Sequence, residues 1–227
     1  CGTAIASSPS AKRIPNLSGN VTYTTNYLWR GITQTRDQFA LQGGFDYESN
    51  VGLYVGTWAS GVEFVGSGTV DRPAHQELEF YGGYRGKLGA HLDYDIGVIR
   101  YDYPGSNSDL NYDFNELAVS MGYQMGDLET RFSVNRSNDF WGGSGNATFV
   151  QASLGYQIDS NWSVAADLGR QTVSDNDAFG AEDYNVYGFS AEYAIDDYFS
   201  AMVGYTKTNL TGDAGDGKFY GGLSAAI

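Results

Sequence analysis

Nowhere in these 227 residues does an apolar run approach the roughly 20 residues that a membrane-spanning helix needs. Mean hydropathy is −0.35, so helical spans are excluded. There is one cysteine, Cys1, and no internal disulfide can form. Two histidines and one cysteine make no zinc or haem cluster at any recognised spacing. Bases are scarce as well: 13 Lys and Arg stand against 27 Asp and Glu, a formal charge of −14. Nucleic acid, which needs a basic surface, is not an expected partner, whereas cations are. No Gly-x-Ser-x-Gly is present, and His75 and His91 fall in no triad spacing. The expectation is a non-enzyme without a cofactor. The acidic loops around Asp175–Asp177, Glu182–Asp183 and Asp213–Asp216 match no EF-hand pattern.

Glycine (31) and tyrosine (18) are abundant, and proline (4) is not. Glycine permits close backbone approach, and tyrosine suits an apolar-to-wet boundary. The dominant signal is period-two alternation, which turns successive side chains to opposite faces of a strand. It is clearest in Glu77–Tyr101. There Leu78, Phe80, Tyr84, Leu92, Tyr94, Ile96 and Val98 share one parity, with Glu77, Glu79, His91, Asp93 and Asp95 on the other. A connection at Gly86-Lys87-Leu88-Gly89 makes this a hairpin.

Twelve such runs follow one another from Val21 to Ile227, the first being Val21, Tyr23, Thr25, Tyr27, Trp29 with Arg30 opposite. Short turns near Asn50, Lys87, Gly126, Ser160 and Asp196 alternate with longer loops. The turn at Gly126-Asp127 predicts Met121 opposite Phe132 and Val119 opposite Val134. Aromatics gather beside the short turns (Tyr47, Tyr84, Tyr123, Tyr156, Trp162, Tyr193, Phe199), as in one interfacial girdle. An even strand count with short turns at one end and long loops at the other predicts an all-β, antiparallel, up-and-down transmembrane barrel. Both termini would then be periplasmic. A soluble sandwich would have edge strands to protect and less regular loops.

The organisation expected is a flexible tether over 1–17, rich in Ser and Pro, and a barrel over 18–227. A chain opening Cys-Gly-Thr resembles a mature lipoprotein, which makes Cys1 a candidate lipid anchor. If the apolar parity meets lipid, the lumen is lined by Asp46, Glu48, Glu77, Glu79, Asp93, Asp95, Glu116, Glu129, Asp167 and Glu192, with Arg30, Arg131 and Lys218 as its bases. Such a lumen favours cations, because low-dielectric walls focus the field. Alternatively these charges pair and fill the interior; twelve strands enclose less space than the 16–18 of open porins. Phe140-Trp141 on an external loop is either a partner contact or packing in the barrel mouth.

Tyr27-Leu28-Trp29-Arg30-Gly31-Ile32-Thr33-Gln34-Thr35, Ala40 to Glu48, Gly97 to Tyr101 and Tyr103-Pro104-Gly105 resemble the TorF-type porins, a bacterial family also labelled conserved hypothetical proteins. The likeness runs from about Val21 to the end and departs from the pattern at the Cys1 tether and at Ile227. It implies a Gram-negative outer-membrane barrel with passive transport, and the acidic lumen parity makes small cationic or neutral solutes the expected cargo. Outer-membrane lipids and lipopolysaccharide are the expected surroundings. The rival is an anchoring barrel with an occluded lumen that holds a partner protein through the tether or the extracellular loops.

Overall fold

In a computed structural model, described over residues 16–64, 72–175 and 182–227, twelve antiparallel strands close into one barrel. They are β1 (Leu17–Thr24), β2 (Ala40–Glu48), β3 (Leu53–Gly61), β4 (Gln76–Leu88), β5 (Leu92–Asp102) and β6 (Phe114–Met125). Then come β7 (Leu128–Ser137), β8 (Ala147–Gln157), β9 (Trp162–Val173), β10 (Tyr184–Ala194), β11 (Phe199–Thr208) and β12 (Lys218–Ala226). Each strand pairs with its chain neighbours, and β12 closes on β1 from Asn20↔Ala226 to Thr24↔Gly222. Cys1, the first 15 residues of the tether and the middle of the 174–183 loop lie outside the described residues.

The usual inside-out rule is inverted. Leu41, Phe45, Val55, Phe80, Val98, Val119, Phe132, Leu168, Phe189, Val203 and Leu223 all lie exposed on the outer surface. Between them on the same strands, Glu77, Glu79 and Glu116 are at most 2% exposed. So continuous an apolar outer surface suits acyl chains and not water. Val119↔Val134 and Met121↔Phe132 pair as the alternation predicts. The girdle residues Tyr47, Tyr84, Tyr123, Tyr156, Trp162, Tyr193 and Phe199 all face outward beside the short turns.

Those turns are locally encoded. At Asp159 and Asp196 the carboxylate accepts two backbone N–H groups at 2.8 Å, from Asn161 and Trp162 in one and from Tyr198 and Phe199 in the other. The β4–β5 turn falls at Gly89–His91, not at Gly86–Gly89, because Leu88 still pairs with Leu92. His91 is therefore an exposed turn residue beside the outward Tyr123, not a lumen residue.

One strand ends sooner than its alternation suggests. β1 stops at Thr24, and the chain turns inward to form a small hairpin, Leu28–Trp29 paired with Ile32–Thr33. Twelve strands at ordinary spacing and tilt enclose a cylinder roughly 24 Å across between backbones. Side chains alone fill a barrel of about eight strands. This hairpin and the long loops occupy the extra room at the loop end. There Tyr27, Tyr101, Tyr103, Leu110, Tyr112, Phe114 and Phe140 form a buried apolar cluster.

Candidate functional site

The hairpin is built from its base upward. Asn26, 4% exposed, donates to Asp37 Oδ1 (2.7 Å), and its Oδ1 accepts from the hydroxyls of Thr33 (2.7 Å) and Thr35 (3.2 Å). One amide thus ties both legs together. At the tip Arg30 (φ 49°) and Gly31 (φ 84°) are both left-handed, which makes a two-residue connection of the I′ kind. A methyl group at Gly31 would overlap Val186 and Thr208, so the tip rests against β10 and β11.

From β1 the hairpin reaches the far wall. Arg30 Nη2 donates to both carboxylate oxygens of Glu116 on β6, at 2.9 and 2.7 Å, and Nη1 donates to Gln171 of β9 at 2.9 Å. The guanidinium lies between the rings of Trp29 and Phe149, 4.2 and 4.4 Å from their centroids. Glu116 also accepts from Asn135 (3.1 Å). Both members of this ion pair are buried, and every charge in it is hydrogen-bonded, the condition under which a buried pair is tolerated. Trp29 stacks on Phe140 (6.0 Å, 17°) and meets Tyr101 and Phe114 edge-on. Arg30 is thus inside the barrel, but on this hairpin and not, as the alternation implied, on the first strand.

Close by, Glu77 and Glu79 are buried at 2% and 0% exposure. Glu77 accepts from the Tyr103 hydroxyl at 3.3 Å. Burial first, then the charges of Glu77 and Glu79, hold the Tyr103 phenol well above its ordinary range, so it stays a donor. The aromatic pair of the 138–146 loop is packing: Phe140 is buried against Trp29, and Trp141 stacks on Tyr112 at 5.1 Å.

Towards the short turns the interior is polar and half-open. Arg131 bridges Asp93 (2.8 Å) and Glu129 (3.3 Å). Arg85 bridges Glu48 (3.1 Å) and Asp95 (3.3 Å) while lying over the Tyr54 ring. Asp46 accepts from Tyr81 (2.7 Å), and Asp167 from Gln151 (2.7 Å) and Ser153. Glu192 lies on the interior parity of β10 between outward Ala191 and Tyr193. Asp46, Glu77, Asp167 and Glu192 make no ion pair among the described residues. Lys218 stands at the loop end, tied to Asp37 (2.8 Å) and Asp213 (2.7 Å), and so joins the first long loop to the last.

Arg85 was missed in the sequence, although it shares the parity of Glu77 and Glu79. Tyr54 was missed too, and Tyr81, which shares the parity of Glu77 and Glu79, was not counted among the lining residues. Their clue is the inward glycine opposite, since any side chain at Gly56 would overlap the Tyr81 ring.

Residues 6–221 match the sequence profile of the Gcw_chp family, described as a bacterial protein of unknown function. No curated protein matches the sequence significantly. Among solved structures the barrel resembles a KdgM porin in complex with disordered oligogalacturonate (TM-score 0.65, 8% identity, 92% of this chain and 99% of that one). It also resembles the COG4313 outer membrane channel from Pseudomonas putida F1 (0.58, 13%, 92% and 94%) and the NanC porin (0.57, 11%, 92% and 97%). At such identities the likeness is one of fold.

Proposed function

This chain belongs to the Gcw_chp family, and from that premise we propose that it is a bacterial outer-membrane channel of the TorF-type porin kind. It passes small cationic or neutral solutes by diffusion through a narrow, acidic lumen. The observation that carries this is the inverted wall: an apolar outer surface around an interior whose carboxylates outnumber its bases. With β1 beginning and β12 ending at the short-turn end, both ends of the barrel would be periplasmic and the loops external. The oligogalacturonate of the KdgM complex is an acidic sugar. The interior here, where Asp46, Asp167 and Glu192 make no ion pair among the described residues, favours the opposite charge.

A second reading has its own observation. The hairpin crosses from β1 to Glu116 on β6 and packs into an apolar mouth, as in an occluded barrel that anchors a partner protein through its loops or tether. Planar-bilayer recording of the folded, inserted protein separates the two. Small ohmic steps with a cation-selective reversal potential in a salt gradient are expected. Silence from an inserted barrel overturns the channel in favour of the anchor, and anion selectivity overturns the solute class.

A further inference from the structure

Along the strands the outer surface is free of charge except in one band. Tyrosines aside, its ionisable residues among those described are Arg100 and Asp102 on β5, Arg136 on β7, Arg170 on β9 and Lys207 on β11, all at the loop end. Register places outward polar residues between the cations: Asn115 beside Arg100, Thr148 beside Arg136 and Asn185 beside Arg170. The band crosses seven adjacent strands, β5 to β11. On β12 and β1–β4 the same level is apolar, with Phe219, Tyr23, Leu41 and Leu78, and Phe39 stacks on Tyr23 at 5.3 Å.

The cations differ in what already holds them. Arg100 donates to Asp102 (2.7 Å) and Asp113 (3.2 Å), and Arg170 lies 3.7 Å from Asp183. Arg136 donates only to the Thr148 hydroxyl (2.8 Å), and neither it nor Lys207 pairs with a carboxylate among the described residues. In a chain of net charge −14, two cations that no described carboxylate pairs stand on an otherwise uncharged outer surface, open to an anion from outside.

We propose that this half-belt binds the phosphates of an outer-leaflet glycolipid, with Arg136 and Lys207 as its anchoring cations and Arg170 between them. Long basic side chains lay their stems along an apolar surface and lift their charge to the headgroup level. Alternate strands lie about 10 Å apart, so Arg136, Arg170 and Lys207 form a row with that spacing. Such a row suits a headgroup carrying two separated phosphates; a single phosphodiester reaches one cation of it. The proposal rests on the outer-membrane reading above.

The test uses the full-length barrel in detergent, with diphosphoryl lipid A, dephosphorylated lipid A and phosphatidylglycerol as probes, read by native mass spectrometry. Wild type is expected to hold the diphosphoryl form at least tenfold more tightly than either other probe. R136Q/R170Q/K207Q should lose at least tenfold of that affinity, at about fivefold per cation. A triple variant within twofold of wild type overturns the proposal, and equal binding of phosphatidylglycerol overturns the glycolipid. Insertion into vesicles and bilayer conductance, measured on the same samples, report the channel reading separately. A barrel that inserts and conducts but ignores phosphate sinks only the lipid site, whereas failure to insert sinks the membrane reading.

Discussion

The loop-end and turn-end halves of the interior solve the same problem in opposite ways. Both must place charge inside a closed apolar shell. Near the loops, charge is buried completely: Arg30 and Glu116 are 7% and 1% exposed and embedded among Trp29, Phe149 and Tyr101. Near the turns it stays wet, with Arg131 and Asp93 at 21% and 35%, and Arg85 and Glu48 at 48% and 45%. A charge pair in the dry half is therefore a structural latch, whereas one in the wet half mainly sets the local field.

The sharpest way to break this contrast is to orphan one member of the dry pair. Glu116→Ala strips the buried guanidinium of its hydrogen-bonded counter-charge, a loss of about 3–5 kcal/mol. Unfolding in detergent should register it, and single-channel conductance should rise as the hairpin leaves the lumen. Replacing both partners, Arg30→Met with Glu116→Leu, should recover most of the stability, because neither member of the pair is then left buried without the other. An unchanged conductance in Glu116→Ala would show that the hairpin does not narrow the path. Trp29→Ala comes next. Its ring packs on Tyr101, Phe114 and Phe140 but is only partly buried, so about 2–3 kcal/mol is expected, with the same conductance rise.

The two halves also differ in how far the sequence reveals them. The wall is legible because each strand repeats one rule, apolar out and polar in, and a one-residue slip would turn every side chain to the wrong face. Hence the strand count, the Met121–Phe132 register and the inward carboxylates follow from parity. The wet half is legible for the same reason, and Arg85 was missed only because its parity was not followed to the end of β4. The dry half is hidden. Tyr27 and Trp29 keep the alternation of Val21 and Tyr23, so β1 reads straight through Thr24. The available signal was Arg30-Gly31, a two-residue connection between Leu28-Trp29 and Ile32-Thr33. What Trp29 packs on could not be read at all, since Tyr101 and Phe114 come from the loop ends of β5 and β6 and Phe140 from the loop after β7, all far away in the chain.

In the wet half the expected effects are smaller in stability and larger in selectivity. Arg131→Gln breaks two partly exposed pairs, so less than about 1 kcal/mol should be lost. It also frees Asp93 and Glu129 to face the lumen, and the reversal potential should shift towards stronger cation preference. A fall in cation preference would mean that solutes do not pass this level.

The smallest effect belongs to the turns below both halves. Two backbone N–H groups hold the Asp159 carboxylate below its ordinary range. A lowered folded-state value means the carboxylate's contribution is complete above its ordinary value and is lost as pH falls through the folded one. The protection of the Asn161 and Trp162 amides, corrected for the intrinsic pH dependence of exchange, should therefore fall on acidification below the ordinary carboxylate range, while the Asn135 and Gln171 amides around the Arg30–Glu116 latch stay protected. Asp159→Asn, whose carbonyl oxygen can take the place of the Oδ1 that accepts both donors, should flatten that pH dependence and leave insertion and conductance unchanged. If the latch amides loosen along with the turn, the two halves are not independent, and the contrast between a dry latch and a wet field fails.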